Sequence, residues 1–237
     1  TAIVDLWHDG PYGAGLQIGE PSVVAAFCDV PVVTQFRPLD HALGGTGAPL
    51  MQFLDFCAFR DIGPIMTLNI GGIANCQLAD ADRAKMMAFD TGPGNVMIDH
   101  AMNALYGKAY DKDGEVAASG TVDETMLAEL KQHPFFARPV PRSAWRLDFG
   151  ADYADAFLER YKRLAPEDQV ATFTAFTAFA ILQSIRDNVP GFAGVSEIIA
   201  SGGGVRNATL MVELARSFAA EGLVLTTSDK YGIPPQY

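Results

Sequence analysis

The chain is 237 residues long and carries a formal charge of −11, with 49% hydrophobic and 19% charged residues. That length can bury a substantial core in one domain or two, and the composition describes a soluble globular protein without a disordered block. The acid excess argues against a nucleic-acid-binding surface, yet leaves room for a nucleotide whose phosphates meet backbone amides and a divalent cation.

Residues 16–19 and 32–36 read as short strands, and 21–28 as a small helix that Pro21 can begin. Residues 49–59 place Leu50, Phe53, Leu54, Cys57 and Ala58 at helical spacing. Three strands follow at 65–70, 74–78 and 86–89, joined by tight turns as a meander. Residues 95–105 are apolar all round, which predicts a helix largely inside the core. Further helices are predicted at 123–132, 153–164 and 167–188, the last opening after Pro166. A strand at 197–200, a helix at 208–220 and a strand at 223–227 close the chain. The order predicts an α/β domain with a mixed sheet whose strand–helix–strand end is parallel. The best domain boundary lies near Asp61-Ile-Gly-Pro64, dividing the chain into 1–62 and 63–237.

The most apolar run, 170–185, is interrupted by Thr172, Thr174, Thr177, Gln183 and Ser184 and is shorter than the roughly 20 residues a membrane helix needs. A buried helix explains it better. Cys28, Cys57 and Cys76 are odd in number and form no CxxC pair, which suits a reducing compartment and offers no disulfide or metal framework. The chain starts at Thr1 and stops at Tyr237, and reads as a fragment or as a chain missing both ends.

Chemistry is concentrated where predicted strands stop at glycines. There, backbone N–H groups can approach an anion without a Cβ in the way. Asn-Ile-Gly-Gly-Ile-Ala-Asn at 69–75 is either a phosphate-touching hairpin tip, with Gly71 and Gly72 foremost, or an ordinary Gly-Gly hairpin; the two weigh evenly. In Phe-Asp-Thr-Gly-Pro-Gly-Asn at 89–95, Asp90 and Asn95 bracket a Pro-Gly turn and can converge on sugar hydroxyls, or Asp90 can serve its own turn. Asp99, one helical turn beyond Asn95, faces the same space or solvent. Ser-Gly-Gly-Gly-Val-Arg-Asn at 201–207 has the shape to hold adenine and ribose against backbone. It lacks the spacing of a dinucleotide fingerprint, and no P-loop occurs. Phe-Arg-Pro-Leu-Asp at 36–40, followed by glycines at 44–47, puts the Asp40 carboxylate where a general base over a cleft can sit, with Arg37 to orient it. The competing reading is a helix cap, which the local sequence favours. Asp111-Lys-Asp-Gly114 lacks the remaining calcium ligands and reads as a turn. The four histidines show no metal-type pairing, and the phenylalanines at 173, 176 and 179 read as core.

Taken together these segments resemble the anhydro-N-acetylmuramic acid kinase family, of the actin-like ATPase/sugar kinase (ribonuclease H-like) fold. The matching stretches run in family order across nearly the whole chain: 16–19, Phe36-Arg37 with Asp40, 44–50, 68–75, 89–95, 110–114 with 117–120, and 202–204 with Asn207. The resemblance implies a two-domain cytoplasmic kinase that binds ATP with Mg²⁺ and a small sugar, interacts with neither nucleic acid nor membrane, and forms a homodimer. Asp40 then matches the catalytic base. Asn69, Gly71, Gly72 and Asn75 match the second phosphate loop, and Gly202, Gly203, Gly204 and Asn207 the adenosine loop. Arg37, Asp90, Thr91, Gly92 and Asn95 would meet the sugar; no residue is assigned to a metal. The implied reaction opens a 1,6-anhydro ring with water while the freed O6 takes the γ-phosphate.

The chain departs from the family at several points. The N-terminal phosphate loop falls upstream of Thr1, so the fragment alone is expected to be inactive. The stretch Arg142-Ser-Ala-Trp-Arg-Leu147 replaces a family Lys-Ser-Thr-Gly-Arg-Glu, Thr46 stands for Gln, and Gln35 for Asp. Two alternatives therefore stay open: another amino-sugar kinase of this fold, or a non-catalytic relative that binds nucleotide or sugar.

Overall fold

The computed structural model describes residues 2–4 and 16–235; His8, which the sequence left unassigned, lies outside them. The chain divides into two units, Thr1–Leu50 and Met51–Tyr237. The division falls a dozen residues before the boundary expected at 62/63, because the helix at 52–59 packs on the sheet that follows it.

In the first unit β1 (Ala2–Val4) pairs antiparallel with β2 (Leu16–Ile18). Helix α1 (Pro21–Cys28) opens on its proline, and the Glu20 carboxylate caps it by accepting the Ser22 N–H at 3.0 Å. The strand expected at 32–36 does not form. Residues 31–35 are irregular, Gln35 has φ +69°, and helix α2 (Phe36–Ala42) begins where the strand was to end. The β-branched pair Val32-Val33 favours extension, but a strand needs a neighbour for its N–H and C=O groups, and among the described residues no strand pairs here. Pro38 fits α2 because the first helical turn has no use for its missing N–H.

The second unit is a five-stranded mixed sheet in the order β5-β4-β3-β6-β7. Strands β3 (Ile65–Ile70), β4 (Ile73–Ala79) and β5 (Met87–Pro93) form the expected antiparallel meander, while β6 (Glu197–Ser201) and β7 (Val224–Thr227) add in parallel. Alternation along β3 divides its faces. Met66, Leu68 and Ile70 enter a core closed by helices α9 (Pro166–Asn188) and α10 (Ala208–Ala219). The opposite face carries Ile65, packed with Phe59 of α3 (Gln52–Phe59), and then the polar Thr67 and Asn69. A second core lies under α4 (Val96–Tyr106), α6 (Glu124–Leu130), α8 (Ala151–Arg160) and the buried Phe173 and Phe176 of α9. The hydroxyls of Thr172, Thr174 and Thr177 donate to backbone carbonyls, so α9 carries polar residues through the core without stranded donors. No described helix is long and apolar enough to cross a membrane.

Strand β5 continues to Pro93, four residues past its expected end at Phe89. A bulge at Thr91, opposite Ala74 and Asn75, lets Asp90, Gly92 and Pro93 stay paired with β4, and the Thr91 hydroxyl donates to the Ala74 carbonyl at 3.1 Å. The predicted Pro-Gly turn is thus the end of a strand. Two short helices not anticipated, α5 (Glu115–Ser119) and α7 (Arg146–Phe149), complete the set.

Candidate functional site

The sheet delivers the glycine turns to neighbouring strand ends. Asn69 and Asn75 face each other across the β3–β4 hairpin, and Asn69 is also the parallel partner of Ser201, the residue before the triple glycine. The hairpin loop is tied to the start of α4. The Gly72 carbonyl accepts from Gly94 and Val96 N–H at 2.9 and 3.0 Å, and Gly71 from Asn95 N–H at 2.8 Å. Asn95 adds its side-chain amide, donating to the Gly71 carbonyl at 3.0 Å. The carbonyls of the loop are therefore fixed inward, on protein partners.

The glycines differ in what requires them. At Gly94 a Cβ would run into the Gly71 carbonyl, so that glycine serves packing. At Gly71 the nearest atom to a Cβ would be Ile73 O at 3.4 Å and at Gly72 Val96 Cβ at 4.0 Å, and neither has positive φ. Nothing among the described residues demands glycine at these two positions. The triple glycine splits the same way. Gly202 has φ +88° and would place a Cβ 2.7 Å from the Ile70 carbonyl; Gly204 would place one 2.7 Å from Ile70 Cβ. Both are needed to lay this loop against β3. Gly203, between them, has nothing within 4 Å.

Gly203 opens onto a cleft of about 430 Å³. From α4 it is lined by Asn95, Ile98 and Asp99, from the following loop by 109–113, and from the other side by Gly203, Arg206 and Asn207. Asn207 is buried and caps α10 by accepting the Leu210 N–H at 2.9 Å. Asp111, also buried, accepts Val116 and Ala117 N–H at 2.9 and 3.0 Å, so the Asp-Lys-Asp-Gly stretch is a turn that opens α5. Gly114 has φ +73° and lies against Asn207 and Thr209, which docks this turn onto the triple-glycine loop. Asp99 faces the cleft. Burial, with the Asp111 carboxylate adding to it, pushes its pKa up to about 6.

Of the residues given to the sugar, Asn95 borders the cleft, whereas Asp90, Thr91 and Gly92 are buried. Asp90 accepts the Ala144 N–H at 2.7 Å, and the Thr91 carbonyl accepts from Ser184 at 2.6 Å. Gly92 packs on Ala180. This segment is gripped by Arg142, which is 4% exposed and donates to the Asp90, Phe135, Phe136 and Arg138 carbonyls and to Ser184. Arg142 matches that fan of acceptors, which a planar guanidinium fits and a single ammonium does not.

Arg37 and Asp40 lie in the first unit, one turn apart on α2. The Asp40 carboxylate accepts the Gly47 N–H at 2.7 Å and Arg37 donates to the Gly47 carbonyl at 2.7 Å. A Cβ on Gly45 would overlap the Asp40 carboxylate. Asp40 sits inside a helix and not beyond a strand end, because no strand forms at 32–36; nor does it cap a helix. The helix and the glycine turn form one constellation around its carboxylate.

Sequence reasoning assigned no role to Arg206, Tyr110 or Lys112, all on the cleft wall. Tyr110 and Lys112 sit in a turn whose glycine has positive φ, and Arg206 sits between the triple glycine and a cap asparagine; adjacency to such turns was the usable signal. Among the described residues no group of three or more His, Cys, Asp or Glu side chains is placed to hold a metal ion.

Fold and site define an α/β domain with a polar cleft at the carboxyl ends of its parallel strands, where such sheets bind ligands. The family model described as anhydro-N-acetylmuramic acid kinase matches residues 4–237. The chain is 42% identical over 227 residues to anhydro-N-acetylmuramic acid kinase of Salinibacter ruber, covering 94% of this chain and 57% of the relative. It is 40% identical over 219 residues to that of Francisella tularensis subsp. novicida, covering 91% and 57%. Among solved structures it is similar, at 14% identity and a TM-score of 0.48, to an activator of 2-hydroxyisocaproyl-CoA dehydratase from Clostridium difficile with bound ADPNP, covering 84% of this chain and 75% of that one. The chain belongs to the anhydro-N-acetylmuramic acid kinase family, and it spans somewhat more than half the length of the curated relatives it matches.

Proposed function

We propose that this chain provides the nucleotide-holding part of an ATP-dependent kinase that converts 1,6-anhydro-N-acetylmuramic acid to N-acetylmuramic acid 6-phosphate in the cytoplasm, as a homodimer. The observation that carries the reading is the set of glycines at Gly71, Gly72 and Gly203, whose missing side chains nothing among the described residues requires and which stand at neighbouring strand ends. Space kept free of Cβ atoms beside backbone amides suits a polyphosphate and its nucleoside. Asn69, Gly71, Gly72 and Asn75 would hold the phosphates. Gly202, Gly203, Gly204 and Asn207 would hold the adenosine, with Gly202 and Gly204 shaping the loop and Gly203 making the approach. Bound MgATP supplies the γ-phosphoryl group and the cation that offsets its charge.

The remaining roles belong to the chain itself. Asp40, held by the Gly47 amide, takes the proton of the water that adds to the anomeric carbon. The anhydro bridge opens, its oxygen becomes O6, and O6 receives the phosphoryl group. Arg37 orients the site of Asp40. Asn95 contacts the sugar side of the cleft, and Asp90, Thr91 and Gly92 act by holding Asn95 in place. The work of the site is positioning and charge stabilisation.

The test uses the full-length protein with ATP, Mg²⁺ and a panel of amino sugars that includes the anhydro sugar. Phosphorylation of the anhydro sugar with ring opening is expected. Turnover of an ordinary hexosamine alone would reassign the substrate, and nucleotide binding without turnover of any sugar would remove the catalytic reading.

A further inference from the structure

The polar face of β3 and β4 carries an unbroken line of side chains into the hairpin. Thr67 Oγ1 lies 2.8 Å from Asp55 Oδ2 on α3 and 2.7 Å from the Gln77 amide oxygen, and the Gln77 amide nitrogen lies 2.7 Å from Asn75 Oδ1. Thr67 and Gln77 are buried, at 8% and 2% exposure, while Asp55 and Asn75 at the two ends are partly exposed. Along the chain of contacts only one proton arrangement at a time satisfies every group. A hydroxyl has a single proton and cannot donate to both Asp55 and Gln77.

Two arrangements are self-consistent. With Asp55 protonated, Asp55 donates to Thr67, Thr67 to the Gln77 oxygen, and the Gln77 nitrogen to the Asn75 oxygen, so Asn75 turns its NH₂ group away from the line. With Asp55 ionised, Thr67 donates to Asp55. The Gln77 amide then turns over to donate to Thr67, and Asn75 turns over to donate to the Gln77 oxygen, which leaves its own carbonyl facing away. Among the described residues the buried members have no other side-chain partner to absorb the change, so the two ends are coupled.

We propose that Asp55 is a positioning residue for the hairpin: its protonation decides, through Thr67 and Gln77, whether Asn75 offers N–H donors or a carbonyl acceptor to an anion at Gly71 and Gly72. The proposal deepens the nucleotide reading and rests on it for the identity of the anion. A phosphate oxygen accepts from the first arrangement and is repelled by the second. Burial raises the Asp55 pKa, with the Thr67 hydrogen bond opposing it. Its neighbours in the line are neutral. The charged groups on elements packed around α3 are occupied elsewhere: Arg60 stacks over Phe56, Arg83 over Phe53, and Lys85 and Lys230 pair with Asp80 and Glu197. Of the acidic groups, Asp61 pairs with Arg60, Asp82 accepts the Ala84 N–H and Asp229 accepts from the Thr227 hydroxyl.

The decisive measurement is the ¹⁵N–¹H signal of the Gln77 and Asn75 side-chain amides in the full-length protein between pH 4 and 8, beside the ¹³C signal of the Asp55 carboxyl. The three should titrate together, with a midpoint above the ordinary carboxylate value of about 3.9. Asp55→Asn should abolish the amide titration. Thr67→Val should leave the carboxyl titrating and the amides still, and Thr67→Ser should restore the coupling. Amides that ignore the Asp55 titration in the unaltered protein, or that titrate unchanged in Asp55→Asn, overturn the proposal. A second readout is the ATP dissociation constant with Mg²⁺ at pH 5 and 8. Relative to Asp55→Asn, which cancels the titration of the nucleotide itself, the unaltered protein should weaken by up to about tenfold on going to pH 8; equal pH dependence in the two overturns the proposed effect on the anion. Failure of ATP to bind either protein at any pH counts against the nucleotide reading and leaves the relay to be judged by the amide signals.

Discussion

Replacing Gly203 and Gly204 separately by alanine distinguishes a glycine kept for a ligand from one kept for the fold. At Gly204 the new Cβ would lie 2.7 Å from Ile70 Cβ and 3.0 Å from its carbonyl oxygen, in a loop already pressed on β3. Neither the buried Ile70 nor the strand can give way freely, so the cost is that of overpacking, about 1–3 kcal/mol. At Gly203 no atom lies within 4 Å and φ is not in the left-handed region. There alanine meets no clash and reduces the freedom of the unfolded chain, which stabilises by about 0.4–1 kcal/mol. The same methyl group stands at the mouth of the cleft, where the nucleotide would approach the backbone. If it forces a ligand shift of overpacking size, affinity falls by about tenfold or more. Urea denaturation and calorimetric titration with ATP and Mg²⁺ measure both quantities on the full-length protein. Gly204→Ala should lower the denaturation midpoint, while Gly203→Ala should keep it or raise it and bind nucleotide more weakly. A Gly203→Ala protein with unaltered ATP affinity would refute the reasoning, because the open space in front of Gly203 would then serve no ligand.

Three further outcomes follow from the same structure. Asp99 has a folded-state pKa raised from 3.8 to about 6, so the folded protein holds a proton that the unfolded chain has lost, and stability falls as pH rises through that window. A shift of that size corresponds to about 3 kcal/mol before solvent at the cleft mouth screens it; about 1–2 remains, so Asp99→Asn should raise the denaturation midpoint at pH 7.5 and much less at pH 4.5. An equal effect at both pH values would contradict the assignment. Arg142→Leu strands the carbonyls that hold the end of β5 and should destabilise by about 3–5 kcal/mol, seen as a fall in Tm of roughly 10 °C; a loss under 1 kcal/mol would show that water replaces the guanidinium. Asp40→Asn should abolish sugar turnover in the full-length protein while ATP affinity stays within about twofold; undiminished turnover would remove Asp40 as the base.

Much of the second unit was legible in the sequence because its signals are local. The meander at 65–89, the buried helix at 166–188 and the parallel strand–helix–strand close to the chain end all follow from periodicity and from glycine, proline and asparagine at element ends. The resemblance to the kinase family came from the same short motifs in order. What neighbouring residues could not decide is what stands in front of each group in space. Residues 32–36 have strand composition without a partner strand, so they are irregular and lead into a helix. Asp90 to Pro93 look like a turn, yet a bulge at Thr91 in β5 keeps them on the sheet and turns their polar groups onto Arg142, Ser184 and Ala144. Three consecutive glycines are equivalent in a sequence; Ile70, more than 130 positions earlier, makes two of them obligatory and leaves the middle one open. The line from Asp55 to Asn75 exists only because α3 lies across β3 and β4, since a hydrogen-bonded chain depends on distances of a few tenths of an ångström that no spacing along the polypeptide encodes.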